Sequence, residues 1–203
     1  MSQPIDLRRS APSALRNRDL ILDILKRILP PTGTALEIAS GSGEHVLHFG
    51  AHLPQWIWQP SDPSAEARAS IAAWLASQAV PNILAPIDLD ASAALWPVAA
   101  ADAILAINMV HISPWAATVG VMRNAGRLLP VGGALYLYGP YRQTGAPFAQ
   151  SNAAFDEDLR RRNPDWGIRA VEDVAAEAVA NKLALDEIVA MPANNLSLIF
   201  KRS

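Results

Sequence analysis

The stretch from Ala35 to His45, ALEIASGSGEH, brings an acidic side chain next to a glycine-rich turn. Gly41 and Gly43 carry no Cβ, so the backbone can turn sharply there and a ligand can approach it closely. Glu37 precedes the turn in an apolar run that is typical of a strand buried on both faces. A fixed negative charge at this place disfavours a phosphate and favours a ligand with an ammonium or sulfonium group. This chemistry points to S-adenosylmethionine rather than a dinucleotide.

The turn has two other interpretations. A dinucleotide-binding loop requires the pattern G-x-G-x-x-G, and the third glycine position is occupied by Val46. A tight turn between a strand and a helix also occurs in many α/β proteins without any ligand, and the glycines alone would favour that interpretation. Glu37 and the acidic residues that follow the next two strands favour the cofactor interpretation.

Asp62 follows the predicted second strand, WIWQP, and lies about 20 residues beyond Gly43. In nucleoside-binding α/β folds an acid at that distance accepts hydrogen bonds from ribose hydroxyls. The alternative is that Asp62 or Ser64 caps the helix predicted from SAEARASIAAWLASQ, and both roles can coexist.

Asp88 ends the predicted third strand, Asn82 to Ile87. The Asp88 carboxylate could accept a hydrogen bond from the amino group of an adenine, with Leu89 packed against the adenine ring. The alternative is that Asp88 is a solvated aspartate in a turn. The carboxyl ends of parallel strands meet at one sheet edge, where the three acids are expected to gather.

The segment after the predicted fourth strand, Ala103 to Ile107, reads NMVHISPW. Asn108 supplies an orienting amide at the strand end, and His111 a possible base, because its unperturbed pKa is about 6.5. Trp115 supplies an aromatic wall. A buried structural histidine and a packing tryptophan are the alternatives, and the sequence does not separate them.

Helices are predicted on either side of the glycine turn. Residues from about Ser13 to Leu29 show apolar side chains at helical spacing, and Asn17 on this helix could lie near the cofactor. The helix after Gly43 carries His45, which could flank the cofactor, and two further histidines, His48 and His52, which are predicted to be surface residues. Without a completing carboxylate or an H-E-x-x-H arrangement, we expect no metal site.

The second half of the chain is predicted to contain a helix from Val119 to Leu129, a fifth strand ALYLYG, a helix from Glu172 to Lys182 and a closing hairpin across MPANN. The segment from Pro140 to Asn152 is too long for a tight turn, so residues 140–169 are a possible substrate lid. Three acids at residues 156–158 precede three arginines at 160–162 by four positions, which predicts a solvated helix with ion pairs.

Composition limits the class of protein. The chain has 203 residues, 51% of them hydrophobic, which suits a single domain with one sizeable core over residues 1–203. A net charge of −2 gives no support for general nucleic-acid or anionic-membrane binding. Cysteine is absent, which excludes disulfides and thiolate chemistry. With no signal-peptide core and no membrane-length apolar run, a cytoplasmic protein is expected; the oligomeric state is not predicted.

Several blocks, LEIASGSGEH, WQPSD, NMVHISPW, YGPY, QSNAAFDEDLRRRNPDWGIR and MPANN, together resemble a methyltransferase-like family formerly catalogued as a domain of unknown function. The resemblance covers about Arg16 to Lys201. It implies an α/β class I methyltransferase fold with a seven-stranded, mostly parallel sheet whose last strand is antiparallel, and S-adenosylmethionine as cofactor. The chain departs from the general class I pattern at Ala39, where glycine is usual, and from the commoner family form at Glu44, where glutamine is frequent.

The resulting expectation is an S-adenosylmethionine-dependent methyltransferase with an unidentified acceptor, a small molecule or protein, an amine being slightly favoured. The alternatives are a non-catalytic binding or regulatory protein that keeps the fold, and an NAD-dependent oxidoreductase, which Val46 and Glu37 disfavour. The candidate catalytic residues are Asn108 and His111, and the candidate substrate-binding residues are Asn17, Trp115, Tyr141 and Asn152. The candidate cofactor-binding residues are Glu37, Ala39, Ser40, Gly41, Ser42, Gly43, His45, Asp62, Asp88, Leu89 and Asn108.

Overall fold

The structure, a computed structural model, describes residues 6–203, in which helices and strands alternate as far as Gly139 and are followed by two helices and then two strands. The chain divides into two compact units at Leu89 and Asp90. The single domain expected from composition stays a prediction. Within the described residues, no helix is long and apolar enough to cross a membrane.

The first unit contains three helices and two parallel strands among its described residues. In chain order they are α1 (Pro12–Ile28), β1 (Gly33–Ile38), α2 (Glu44–His52), β2 (Trp56–Pro60) and α3 (Ala65–Ser77). Strand β1 pairs in parallel with β2, with Glu37 opposite Pro60. The last four residues of β1 are all buried, as predicted for a strand covered on both faces.

The predicted third strand, Asn82 to Ile87, is not a regular strand, so the structure has six strands among its described residues where seven were expected. The segment runs parallel to β2 and forms two isolated bridges, one from Trp58 in β2 to Ile83 and one from Ser61, just after β2, to Ile87. Two prolines explain why the pairing is interrupted between these bridges, because neither Pro60 nor Pro86 has an N–H to donate to the hydrogen-bond ladder. The side chain of Gln59 donates instead to the Ala85 carbonyl at 2.8 Å.

The second unit holds four strands and three α-helices. They are β3 (Ala103–Ile107), α4 (Trp115–Leu128), β4 (Ala134–Gly139), α5 (Gln150–Arg162), α6 (Val171–Ala180), β5 (Leu183–Met191) and β6 (Asn195–Arg202), with a short 3₁₀ turn at Val110–Ile112. Strand β3 is parallel to β4, and β6 is antiparallel to both β4 and β5. The predicted antiparallel last strand and closing hairpin are therefore confirmed.

Helix α4 begins at Trp115, four residues before the predicted start. Pro114 precedes it, and its carbonyl accepts the first helical hydrogen bond from the N–H of Ala117 at 2.9 Å. Proline fixes φ and is tolerated at helix starts, so the chain enters the helix directly after it. This shift places the Trp115 ring in the first turn of a helix.

The prediction that residues 156–158 form a solvated charged face is wrong for Asp156, which is 5% exposed. Its Oδ1 accepts from the backbone N–H of Ile168 at 2.6 Å, and its Oδ2 accepts from Arg142 and Arg160. The following segment folds back onto α5, a long-range contact that helical spacing could not indicate. Asp156 therefore joins three separate parts of the unit.

Candidate functional site

The glycine loop lies between β1 and α2 in the first unit. Ala39, Gly41 and Gly43 have φ angles of +54°, +58° and +91°. A Cβ on Gly43 would lie 2.9 Å from the Ile71 side chain, so close packing requires glycine there. A Cβ on Gly41 would meet no atom nearer than 4.0 Å, which leaves open space beside the loop. The loop therefore has one glycine for packing and one beside space that a ligand could enter.

Asp62 lies at the glycine loop and is 7% exposed. Its Oδ2 accepts a hydrogen bond from the N–H of Gly41 at 3.0 Å, and its Oδ1 accepts from the N–H of Ser64 at 2.9 Å. Ser64 in turn caps α3 by accepting from the N–H of Ala67. Asp62 thus connects the glycine loop to the start of α3, and its contact with a ribose stays a prediction.

Glu37 is 2% exposed, and its Oε2 oxygen has no hydrogen-bond partner among the protein atoms. Burial raises the pKa of this carboxyl to about 8; a hydrogen bond from Ser40 lowers the pKa in part, and the charge of Asp62 raises it further. A buried oxygen without a partner costs free energy that a bound hydrogen-bond donor could recover. Glu37 is therefore mostly protonated at neutral pH and not the fixed negative charge that the sequence predicted, and a bound cation that ionised it would supply the missing partner.

The third acid, Asp88, differs from the two buried acids because its side chain is 69% exposed. It forms an ion pair with Arg68 at 3.1 Å, and Arg68 also donates to the backbone carbonyl of Asp62 at 2.8 Å. Leu89 is 2% exposed and belongs to the core. The sequence did not single out Arg68, which had no signal beyond its position on a predicted helix.

Two predicted residues from α1 and α2 contact each other. The Nε2 atom of His45 lies 2.8 Å from Oδ1 of Asn17, and both side chains are buried. An amide oxygen only accepts, so Nε2 carries the proton and donates. Burial lowers the pKa of His45 to about 4, and the nearby His48 and Arg18 lower it further. Neutral His45 thus holds α1 against the first turn of α2.

The prediction of two surface histidines holds for His52, which is exposed, and is wrong for His48. The His48 side chain is 9% exposed and lies 2.9 Å from Asp19, because α1 covers this side of α2. Among the described residues, no group of three or more histidine or acidic side chains is arranged to hold a metal ion.

The residues before α1 are tied to the glycine loop. Glu44, 8% exposed, accepts hydrogen bonds from the Ser10 hydroxyl at 2.9 Å and the Ser42 hydroxyl at 3.1 Å. The N–H of Arg9 donates to the Ser70 hydroxyl, which donates to the carbonyl of Ser42, both at 2.9 Å. The Glu44 carboxylate therefore anchors the loop to the residues just before α1.

In the second unit, Asn108 and His111 follow β3 as predicted. Asn108 has a φ of +57°, and its N–H donates to the Tyr138 carbonyl at 2.8 Å. His111 is 4% exposed, and its ring lies edge-on to Phe155. Burial lowers the pKa of His111 to about 4, with a further contribution from the charge of Arg169. His111 is therefore neutral at pH 7 and a weaker base than an exposed histidine.

Trp115 is half-buried, and the guanidinium of Arg169 lies 5.8 Å from its ring centroid. Arg169 also donates to the carbonyls of Ser113 and Asp165. The aromatic wall that the sequence predicted is thus in contact with a cation of the same unit. Arg169 was not singled out by the sequence.

Tyr141 and Asn152 both line a cavity of about 220 Å³ in the second unit. Tyr141 is 5% exposed, and its hydroxyl has no hydrogen-bond partner among the protein atoms. Asn152 donates to the backbone carbonyl of Asn194 at 3.0 Å. Asn194 belongs to the MPANN hairpin turn, which the sequence identified as a family motif without a role. These separated motifs therefore meet at one cavity.

The glycine loop, the parallel strands and the antiparallel last strand define the class I methyltransferase fold, and comparisons with solved structures agree. CalO1, described as a methyltransferase in calicheamicin biosynthesis in its SAH bound form, matches with a TM-score of 0.74 at 17% identity over 94% of this chain and 55% of that one. An O-methyltransferase family protein from Burkholderia thailandensis matches at 0.78 and 17% identity, over 94% and 57%.

An O-methyltransferase family 2 protein from Planctomyces limnophilus, in complex with apigenin, matches at 0.71 and 19% identity, over 96% of this chain and 63% of that one. This chain therefore spans 55 to 63% of the length of these three structures. The family model described as "Protein of unknown function (DUF938)" matches residues 8–202. The chain belongs to that family.

Proposed function

We propose that this protein is an S-adenosylmethionine-dependent methyltransferase. The observation that carries the proposal is Glu37, a buried acid with an unpartnered oxygen beside the glycine loop. A carboxyl group in this setting suits the ammonium of the methionine portion of the cofactor. The shared fold supports the proposal, since solved structures with that fold include a methyltransferase in its SAH bound form.

The residues of the first unit fit the cofactor. Glu37 would hold the ammonium, the open space at Gly41 would admit the ligand beside the loop, and Asp62 would accept from the ribose hydroxyls. Asp88 and Leu89 would serve the adenine, with Asp88 moving from its present ion pair with Arg68. When bound, the cofactor supplies a methyl group on a positively charged sulfur.

The residues of the second unit would orient the acceptor. Asn108 offers an amide carbonyl to an N–H group, Trp115 offers an aromatic wall, and His111 is neutral at pH 7 because its pKa is about 4. Methyl transfer to a nucleophile with a free lone pair needs alignment and exclusion of water more than a strong base. We therefore propose an amine as acceptor, although neighbours with this fold carry the name O-methyltransferase.

A second candidate function is a non-catalytic binding protein that retains the fold and the cofactor site. The burial of His111 and Tyr141 favours this second function, because neither buried side chain can readily exchange a proton with water during turnover. In that case the segment 140–169 would form a partner surface.

Cofactor binding is tested by thermal shift with S-adenosylmethionine, S-adenosylhomocysteine and NAD in parallel. A ligand at 100 times its Kd adds about 2.7 kcal/mol, which corresponds to roughly 5–10 °C for a chain of this size. We expect a shift with both sulfur ligands and none with NAD. A shift with NAD alone would contradict the proposal and support an oxidoreductase.

Turnover is tested by release of S-adenosylhomocysteine across a panel of amines and hydroxyl compounds. Release with amines supports the methyltransferase with the preferred acceptor, and release only with hydroxyl compounds corrects the acceptor class. A silent panel with a protein that binds the cofactor tightly supports the non-catalytic function.

A further inference from the structure

The cavity beside Tyr141 is walled by parts of the second unit that lie far apart in sequence. Tyr141 and Arg142 follow β4, Phe148 lies in the loop before α5, and Met191 and Asn194 belong to the hairpin between β5 and β6. The cavity volume is about 220 Å³. The lining combines apolar and polar side chains in about equal numbers, so a ligand in the cavity can make both kinds of contact.

Two contacts fix the walls against each other. Asn152 on α5 donates to the Asn194 carbonyl at 3.0 Å, and the Asn194 side chain donates to the Ser151 hydroxyl at 3.1 Å. Ala193 and Asn194 adopt φ angles of +57° and +56°, a turn conformation that asparagine tolerates better than most residues. Because both side-chain NH2 groups donate inside the protein, the side-chain Oδ1 atoms of Asn152 and Asn194 remain as hydrogen-bond acceptors for a ligand.

The charged side chain of the lining is already bound within the protein. Arg142 is the one charged residue among those lining the cavity, and its guanidinium is paired with Asp156 at 2.5 Å. The same guanidinium lies 4.6 Å from the centroid of the Phe148 ring. Because Asp156 and the Phe148 ring already engage the Arg142 guanidinium, the lining offers an ion no unengaged charged partner in exchange for its hydration, so the cavity favours an uncharged ligand.

Tyr141 is the feature that points to a ligand. Its hydroxyl is buried without a partner among the protein atoms, whereas the hydroxyl of Tyr136, also buried, lies 2.6 Å from the Ser197 hydroxyl. A buried hydroxyl without a partner is costly and is uncommon in folded proteins. Burial also raises the pKa of Tyr141 well above its usual value, so the group stays a phenol and can both donate and accept.

From this geometry we infer that the cavity binds the methyl acceptor through a small uncharged ring that carries an N–H or O–H group. Tyr141 and the asparagine carbonyls bond the polar group, while Phe148 and Met191 contact the ring. The assignment to the acceptor rests on the proposed methyltransferase function; the assignment of a ligand site rests on the cavity alone.

The test follows the side-chain amide signals of Asn152 and Asn194 by NMR in the full-length protein, with aniline as the probe. Toluene has the same ring without a polar group, and benzoate has the same ring with a charged carboxylate. We expect aniline to shift these signals saturably, and toluene and benzoate to bind at least 5-fold more weakly. No shift with aniline, shifts confined to other residues, or equal affinity for toluene would each overturn the inference.

Two matched tyrosine variants complete the test. Y141F should weaken aniline about 5-fold, which is about 1 kcal/mol, and leave toluene unchanged, because only the hydroxyl is lost. Y136F should leave aniline affinity unchanged but lower the melting temperature by roughly 2–4 °C, since it removes a satisfied bond. Unchanged aniline affinity in Y141F would overturn the assignment.

S-adenosylhomocysteine is titrated in the same experiment. If S-adenosylhomocysteine shifts no NMR signal of the protein while aniline behaves as expected, the proposed function fails and the ligand site stands. If it binds the first unit while aniline fails, the inference about the cavity fails alone.

Discussion

Replacing Glu37 with glutamine should stabilise the protein without ligand while weakening its affinity for the cofactor. Burial raises the pKa of Glu37 from 4.5 to about 8, so the folded protein keeps a proton that the unfolded chain releases. The free energy of unfolding therefore falls as pH rises from 4.5 to 8. The full loss is roughly 5 kcal/mol, of which about 3 kcal/mol is present at pH 7. Glutamine has no proton to lose, so E37Q should remove this decline.

Ligand binding gives the complementary signal. At pH 6.5 Glu37 is almost entirely protonated, and an ammonium placed against it should ionise it. Calorimetry in buffers of different ionisation enthalpy should therefore show release of roughly 0.9 protons for each S-adenosylhomocysteine bound. The variant E37Q should release none and bind at least 10-fold more weakly, because a charged hydrogen bond is lost.

A matched control is E44Q, which also removes a buried carboxylate next to the glycine loop. We expect E44Q to retain the proton release. The reasoning is refuted if E37Q binds as tightly as the unaltered protein, or if the unaltered protein binds the ligand with no proton release.

Three further substitutions probe the same sites. Asp62→Ala removes the acceptor for the N–H of Gly41, so we expect the free energy of unfolding in urea to fall by roughly 2 kcal/mol. In calorimetry we expect cofactor affinity to fall roughly 10–100-fold, and unchanged affinity would remove Asp62 from the ribose site. Gly43→Ala places a Cβ 2.9 Å from Ile71 at a φ of +91°, and should cost roughly 2–4 kcal/mol in the same unfolding measurement, which a value below 1 kcal/mol would contradict. In the unaltered protein, the low pKa of His111, about 4, should lower the free energy of unfolding by roughly 3 kcal/mol as pH falls from 6.5 to 4. His111→Gln should abolish this decrease in a urea-unfolding series at different pH values. Parallel pH profiles for the variant and the unaltered protein would argue against the burial of His111.

The sequence predicted local structure well wherever one residue type determines the backbone. The glycine loop, β2 and β3 agree with the expected bounds, because glycine spacing and short apolar runs are local signals. The third predicted strand failed for a reason visible only across strands. Pro60 and Pro86 belong to neighbouring segments, and their combined loss of N–H donors appears only once the two are aligned.

The chemistry of the site was less predictable than its location. Glu37 and Asp62 were identified from spacing, yet the unpartnered oxygen of Glu37 and the bond from Gly41 to Asp62 depend on packing. His111 was considered with a pKa of 6.5, and its burial lowers that value to about 4. Arg68 and the hairpin turn at Asn194 carried no chemical pattern, since their importance comes from contacts with residues distant in sequence.

The hydrogen bonds of Arg9 and Ser10 have a practical consequence for any truncation or fusion at that end of the protein. Arg9 reaches the carbonyl of Ser42 through Ser70, and Ser10 reaches the same loop through Glu44. Shortening the protein past residue 10 would remove the Arg9 donor to Ser70 and the Ser10 donor to Glu44 without altering the loop itself. If such a shortened variant no longer bound the nucleoside, the cause would be the loss of these hydrogen bonds from outside the loop. Substitutions within the loop alone would not detect that dependence.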